Sequence, residues 1–217
     1  MNDYGDDLRD TRREYGKSVL IEHNAAPLPF QQLDIWLDEA RHAGLEDYNA
    51  FSLSTVSTAE YPHSRIVLLR SQDESGLIFF TNYQSRKGKD IAANPKVGVN
   101  FYWASLERQV RVSGSAHKTS VAESDEYFAE RPRESQIAAW ASAQSEVLTG
   151  RDVLENKMEE YTKKFEGMDV PRPENWGGYR IIPNYFEFWQ GRPFRLHDRL
   201  IYCVDADFEW FIKRLAP

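Results

Sequence analysis

Apolar residues in this chain recur at two periods, and the switches between the periods mark the elements. After the breakers Pro27 and Pro29, Phe30, Leu33, Leu37 and Ala40 fall near helical spacing, which predicts a helix over residues 30–45. Strand text follows. Phe51, Leu53 and Thr55 alternate with small polar residues in 51–56, and the apolar run 64–70, bracketed by arginines, reads as a buried strand. Residues 71–76 read as a turn and 77–81 as the hairpin partner of 64–70. Ser85 is placed to cap a short helix over 85–93, which Asn94-Pro95 stops. Val97, Val99, Phe101 and Trp103 alternate strictly, and 109–115 reads as a neighbouring strand with Val110 and Val112 on one face. Ser120 and Glu123 have capping-box spacing and start a helix that ends before Pro132. Leu154, Met158, Tyr161 and Phe165 share one face of a further helix. A loop is expected around Pro171, Pro173 and Trp176-Gly177-Gly178, with strands at 185–189, 199–204 and 208–214.

The first sixteen residues are polar and aperiodic and read as a mobile arm, which leaves 17–217 as a single domain. Many strands with inserted helices, and no regular β-α-β alternation or internal repeat, favour an α+β domain built on an antiparallel barrel. At 217 residues the chain is long enough for one sizeable core, and 41% hydrophobic residues argue against global disorder.

Charge and composition narrow the chemistry. A net charge of −7 speaks against a general nucleic-acid or anionic-membrane partner, so local cation clusters stand out. The single cysteine, Cys203, excludes an internal disulfide framework, and five histidines that never pair at ligand spacing make a protein-built metal site improbable. A charged N-terminus without an apolar stretch, and no apolar run of membrane length, lead to an expectation of a cytoplasmic protein. GxGxxG, GxxxxGK[ST] and GxSxG signatures are absent.

Five segments carry candidate chemistry. Arg65 and Arg70 need anionic partners if buried, either a phosphate or flavin edge or some of the 34 acidic residues. Between Thr81 and Gly88 a strand passes into a helix, so backbone N–H groups, the helix dipole, Ser85, Arg86 and Lys87 converge in a phosphate cradle or form a solvated first turn. Gln109 offers an amide that both donates and accepts, suited to a flavin edge or to a polar surface. Tyr127 and Arg131 lie one helical turn apart with Ser135 as a cap beyond them, fit for a second phosphate or for dipole compensation. If a strand runs through 195–199, Arg195, His197 and Arg199 share one face, which is poor core material and good material for anion binding or proton transfer.

Together these segments resemble the pyridoxamine-5'-phosphate oxidase family, from Arg12 to Pro217. The matching strings run in order: RREY at 12–15, RIVLL at 65–69, FFTN and SRKG within 79–88, RQVRV at 108–112 and RPRESQI at 131–137. WGG at 176–178, EFWQG at 187–191, RLHDR at 195–199 and RLAP at 214–217 complete them. The resemblance implies a split β-barrel homodimer with FMN at the subunit interface. It implies FMN contacts from Arg65, Ile66, Val67, Leu68, Leu69, Arg70, Phe80, Thr81, Arg86, Lys87, Gln109, Gln144, Ser145, Trp189 and Arg199. Tyr127, Arg131 and Ser135, with Arg70, would hold a substrate phosphate. Arg195, Leu196 and His197 would face the substrate ring, with Arg195 and His197 catalytic, and Arg12, Arg13, Glu14 and Tyr15 would close over it. Arg70 stands where the family typically has Lys, Phe80 where Tyr is frequent and Ala138 where Gly is common, and Phe194 is unusual.

The activity implied is oxidation of pyridoxamine and pyridoxine 5'-phosphates to pyridoxal 5'-phosphate, with O2 as acceptor, H2O2 as product and ammonia released from the amine. A phenazine-pathway FMN oxidase is the rival within the same barrel, against which the RREY arm and WGG loop weigh. A protein that holds FMN or pyridoxal phosphate without turnover is the rival of another class.

Overall fold

The computed structural model describes residues 14–57, 61–207 and 209–217. Its elements run α1 (Pro29–His42), β1 (Ala50–Thr55), β2 (His63–Leu68), β3 (Ser71–Asp73), β4 (Gly76–Asn82), α2 (Arg86–Ala93) and β5 (Lys96–Trp103). They continue β6 (Arg108–Lys118), α3 (Val121–Glu130), α4 (Arg133–Ala141), α5 (Asp152–Lys164), β7 (Trp176–Gln190), β8 (Asp198–Val204) and β9 (Trp210–Arg214). The chain divides into two compact units. One comprises the residues up to Tyr48, 101–111 and 185–217; the other comprises 49–100 and 112–184.

The second of these units holds β1 to β4, α2 to α5, the start of β5, the end of β6 and most of β7, in the strand order β2-β1-β5-β6-β7-β4-β3. Pairing is antiparallel, with Leu53 opposite Arg65 and Phe79 opposite Tyr179. Alternation builds its core: Phe51, Leu53, Leu77, Phe79, Val97, Val99 and Ile181 are buried, each contributing about 1.5–3 kcal/mol by removal from water. A second apolar cluster joins Phe128, Ile137, Phe165, Val170 and Trp176 beneath the helices.

In the other unit α1 buries Phe30, Leu33, Trp36, Leu37 and Ala40 along one stripe, as the 3.6-residue period requires. Trp36 meets Phe188 edge-on at 5.2 Å, and Phe188 meets Tyr202 at 5.4 Å. β7 pairs with β8, and β8 with β9.

Several sequence expectations hold closely. Ser85 caps α2 by accepting from the Gly88 N–H, and Ser120 and Glu123 form a reciprocal capping box on α3. Others need correction. The run 64–70 is not a buried strand: β2 ends the strand order and leaves Ile66 66% exposed. Residues 77–81 pair with β3 and β7, because 71–73 is itself a strand rather than part of a turn. Trp176 to Gly178 open the fifteen-residue β7 instead of forming a loop, since both glycines lie where a Cβ would strike Tyr83 or Thr119. Ser135 is no cap. α4 begins at Arg133 behind Pro132, so Ser135 sits inside its first turn. Residues 195–199 are not a strand: Arg195 ends a 3-10 turn with φ of +62° and β8 starts at Asp198, so period two does not align Arg195, His197 and Arg199.

Candidate functional site

In the unit containing β1 to β4, a cavity of about 370 Å³ opens between β2, β4, α3, α4 and the start of β7. Arg70, Lys87 and Arg131 line it together with Thr81, Gln144, Phe80, Tyr127 and Trp176, and among the described residues none that lines it is acidic. Three cations without a carboxylate make a site for an anion. The aromatic wall is stacked: Phe80 lies 3.9 Å from Tyr127 and 5.6 Å from Trp176, with all three rings near parallel. Arg131 sits 4.5 Å over the Trp176 ring, yet its Nη1 is buried with no hydrogen-bond partner. Burial chiefly, and Arg70 as well, hold its pKa below the ordinary arginine value against the pull of Tyr127. A buried donor left unmade costs about 1–3 kcal/mol, more for a charged group, so an acceptor placed against this guanidinium would remove that penalty.

Lys87 lies just inside α2, buried among uncharged partners: its Nζ donates to Thr81 Oγ1 and Gln144 Oε1, each at 3.1 Å. Burial, with Arg65 adding repulsion, pulls its pKa down to about 8. The helix start is tight because Gly88 lets the backbone approach; a Cβ there would stand 2.1 Å from the Tyr83 carbonyl. Beside it, Arg65 donates to Thr55 Oγ1 at 2.7 Å and to the Leu53 carbonyl at 3.2 Å. The buried Asp90 carboxylate accepts from Thr55 at 2.7 Å and from Arg86 Nε at 3.3 Å. Ser145, itself at φ of +75°, accepts from the Arg86 backbone N–H.

The other unit holds a different cluster. His197 lies 4.7 Å from the Trp189 ring and 5.6 Å from Tyr15, and Tyr15 meets Trp189 at 5.7 Å. Gly191 makes room for Tyr15, since a Cβ there would come within 2.8 Å of the ring. The Arg192 N–H donates to His197 Nδ1 at 3.1 Å, so the proton of the neutral imidazole sits on Nε2. Burial first, and Arg195 second, keep His197 below the ordinary histidine pKa despite Asp198. Arg199 donates to Glu187 at 2.9 Å and to the Ala216 carbonyl at 2.8 Å. Burial works to raise the Glu187 carboxyl, but Arg199, Tyr185 and Arg111 together hold it below its usual value.

The chain matches the family model described as pyridoxamine 5'-phosphate oxidase over residues 37–165, and the pyridoxine 5'-phosphate oxidase C-terminal dimerisation region over 176–217. A relative from Cupriavidus taiwanensis named pyridoxine/pyridoxamine 5'-phosphate oxidase is 53% identical over 97% of this chain and 99% of its own. One of the same name from Bordetella pertussis is 52% identical with the same coverage. The chain belongs to the pyridoxamine 5'-phosphate oxidase family. Among solved structures, PhzG from Burkholderia lata 383, in complex with tetrahydrophenazine-1-carboxylic acid, superposes with a TM-score of 0.86 at 30% identity, covering 92% of this chain and 98% of that one. A pyridoxamine 5'-phosphate oxidase-related, FMN binding protein from Nostoc punctiforme gives 0.68 at 16% identity, covering 88% and 98%, which supports the shared fold. That fold is the antiparallel split β-barrel with peripheral helices.

Of the residues that the resemblance marks for this oxidase family, the cavity gathers Ile66, Val67, Leu68, Arg70, Phe80, Thr81, Lys87, Tyr127, Arg131 and Gln144. Leu69 is buried and outside that lining, Ser135 is half-buried on α4, and Gln109 is half-buried on the β6 segment of the other unit. Leu196 is 68% exposed beside Arg195. Arg12 and Arg13 lie outside the described residues, whereas Glu14 is exposed and Tyr15 is packed as above. Sequence reasoning left Asp90 and Trp176 unassigned. Asp90 gave no signal, since a carboxylate four residues after Arg86 reads as an ordinary surface pair on a helix; the motif WGG did signal Trp176, but not that it would carry an arginine. No group of described residues is placed to hold a metal ion, and no described helix is long and apolar enough to cross a membrane.

Proposed function

We propose that this chain is an FMN-dependent oxidase that converts pyridoxamine 5'-phosphate and pyridoxine 5'-phosphate to pyridoxal 5'-phosphate, acting as a homodimer. The observation that carries this reading is the acid-free cavity in which Arg131 keeps an unpartnered Nη1 and Lys87 is held near neutrality. Both groups suit a phosphate dianion, which would supply an acceptor to Arg131 and favour the protonated lysine. Arg65, Arg86, Lys87 and Ser145 would hold the flavin phosphate, with Ile66 to Arg70, Phe80, Thr81, Gln109, Gln144, Trp189 and Arg199 around the rest. Tyr127, Arg131, Ser135 and Arg70 would hold the substrate phosphate. Bound FMN would supply the electron chemistry, taking a hydride equivalent from the substrate C4' carbon and passing the electrons to O2 to give H2O2.

The chain's own residues bind and orient. Arg195 would pin and polarise the substrate ring, with Leu196 beside it, and His197 would donate from Nε2 while the Arg192 N–H fixes its tautomer. Glu14 and Tyr15, with Arg12 and Arg13, would cover the ring and exclude water. The C-terminal dimerisation region supports a homodimer, and in this reading each flavin would draw on both copies.

The PhzG likeness supports a second reading, oxidation of a reduced phenazine carboxylate, in which a carboxylate replaces the phosphate. One assay decides: each vitamer phosphate is supplied with FMN and O2, and pyridoxal phosphate and peroxide are followed. Equal rates of both support the proposal; no product from either vitamer overturns it. Light scattering of the flavin-loaded protein should give a dimer.

A further inference from the structure

Lys87 is the one lysine lining the cavity, and its surroundings give it an uncommon state. A neutral amine has two N–H donors and one lone pair, whereas an ammonium has three donors. Thr81 Oγ1 and Gln144 Oε1 accept two donors at 3.1 Å, which is all that a neutral amine has, so whenever Lys87 is unprotonated its lone pair is free. Among the described residues no lining carboxylate stabilises the ammonium, and Arg70 and Arg131 add positive charge to the same cavity. A free lone pair beside two phosphate-binding guanidiniums is an arrangement for a phosphorylated aldehyde.

We propose that Lys87 is a covalent modification site, where the flavin-free chain condenses with the aldehyde of pyridoxal phosphate. The Lys87 nitrogen attacks the aldehyde carbon, a C–N double bond replaces C=O, and the oxygen leaves as water with the two amine protons. No electrons are exchanged. The source of the aldehyde rests on the proposed function, since pyridoxal phosphate is that reaction's product; the chemistry of the site does not. Flavin and product thereby compete for one cavity, and FMN protects Lys87 by filling the space and by holding its nitrogen protonated.

The test uses the full chain, stripped of flavin and separately loaded with FMN. Each sample is incubated with pyridoxal phosphate, reduced with borohydride and mapped by peptide mass spectrometry. At pH 7.5 an amine with a pKa near 8 is neutral roughly 200-fold more often than one at the reference lysine value near 10.4, and the cavity cations would draw the phosphate in, so Lys87 should be labelled well ahead of exposed lysines such as Lys89 and Lys163. Expected are one label per chain on Lys87, protection by FMN, and at least tenfold slower labelling by pyridoxal, which lacks the phosphate. Lys87→Arg should remove the label, and mapping of the wild-type chain keeps the test valid if that variant does not fold. Labels spread over surface lysines, or labelling unchanged by FMN, overturn the proposal. Either result leaves the oxidase reading standing, and Lys87 labelling in a chain without vitamer oxidation would separate the two in the other direction.

Discussion

The cavity lined by Arg131 and the cluster around Glu187 both bury charge, and they treat it in opposite ways. Glu187 accepts from Arg199 at 2.9 Å, Tyr185 at 3.0 Å and Arg111 at 3.3 Å, so its desolvation is offset within the chain. Arg131 is offered an aromatic face and nothing for Nη1, and Lys87 only neutral acceptors. Charge that is paired inside the fold builds the scaffold; charge left without a counterion waits for a ligand. The contrast refines the role of Arg199. Its pairing with Glu187 and the Ala216 carbonyl gives it a structural duty alongside any contact with flavin.

The largest effect is expected at His197, which lies in the paired unit and whose Nε2 makes no hydrogen bond among the described residues. His197→Asn should retain flavin and lower turnover by about 10²–10⁴-fold, the usual worth of a positioned proton donor. Steady-state kinetics beside flavin content checks this, and a loss under about tenfold would leave His197 an orienting role only. Its low pKa gives the sign with pH: protonating Nδ1 breaks the bond from Arg192, so activity should fall as the solution is acidified below the ordinary histidine range.

Next in size is the unpaired arginine. Arg131→Met should raise KM for the vitamer phosphates about 10- to 150-fold, equivalent to one charged hydrogen bond of about 1.5–3 kcal/mol. Arg86→Ala should weaken FMN by a similar factor. Stability separates the two regions more sharply than affinity does. Arg199→Met takes the shortest of three donors from a carboxylate that is 4% exposed, so it should lower the unfolding free energy by about 1.5–3 kcal/mol. Arg131→Met removes an uncompensated cation and should leave stability equal or higher. Denaturant melts of both variants settle this, and equal destabilisation would erase the distinction.

Much of this was legible in the sequence, and for physical reasons. Local periodicity and capping chemistry wrote α2, α3, β5 and β6 within a few residues, because Ser85, Ser120 and Glu123 act on their own helix termini. Thr81, Lys87, Tyr127 and Arg131, which the motif strings single out, line one cavity. What failed was what neighbours decide. Ile66 looks buried until β2 proves to end the strand order. Arg195 looks like a strand residue until Pro193 and two successive left-handed positions, Phe194 and Arg195, turn the chain. Partners such as Glu187 for Arg199 lie twelve positions away on a paired strand, beyond any local reading.

The smallest expected effect, the pH response of Lys87, isolates the cavity from the scaffold. Its folded pKa of about 8 lies below the unfolded value near 10.4, because burial disfavours the ammonium. Between those values the unfolded chain binds more protons than the folded one, so stability of the flavin-free chain should rise as pH rises across that window. Anion binding should run the other way. A phosphate is already a dianion above pH 7, so only Lys87 changes charge, and FMN affinity should fall above pH 8 by at most about tenfold per unit. Binding in turn should lift the lysine pKa, since linkage is reciprocal. Unfolding melts and FMN titrations from pH 7 to pH 10, on the wild type and on Lys87→Gln, read both slopes. The variant should flatten both. A wild-type FMN affinity that does not change over this range would mean that Lys87 does not face the phosphate, and the cradle would then rest on Arg65, Arg86 and Ser145.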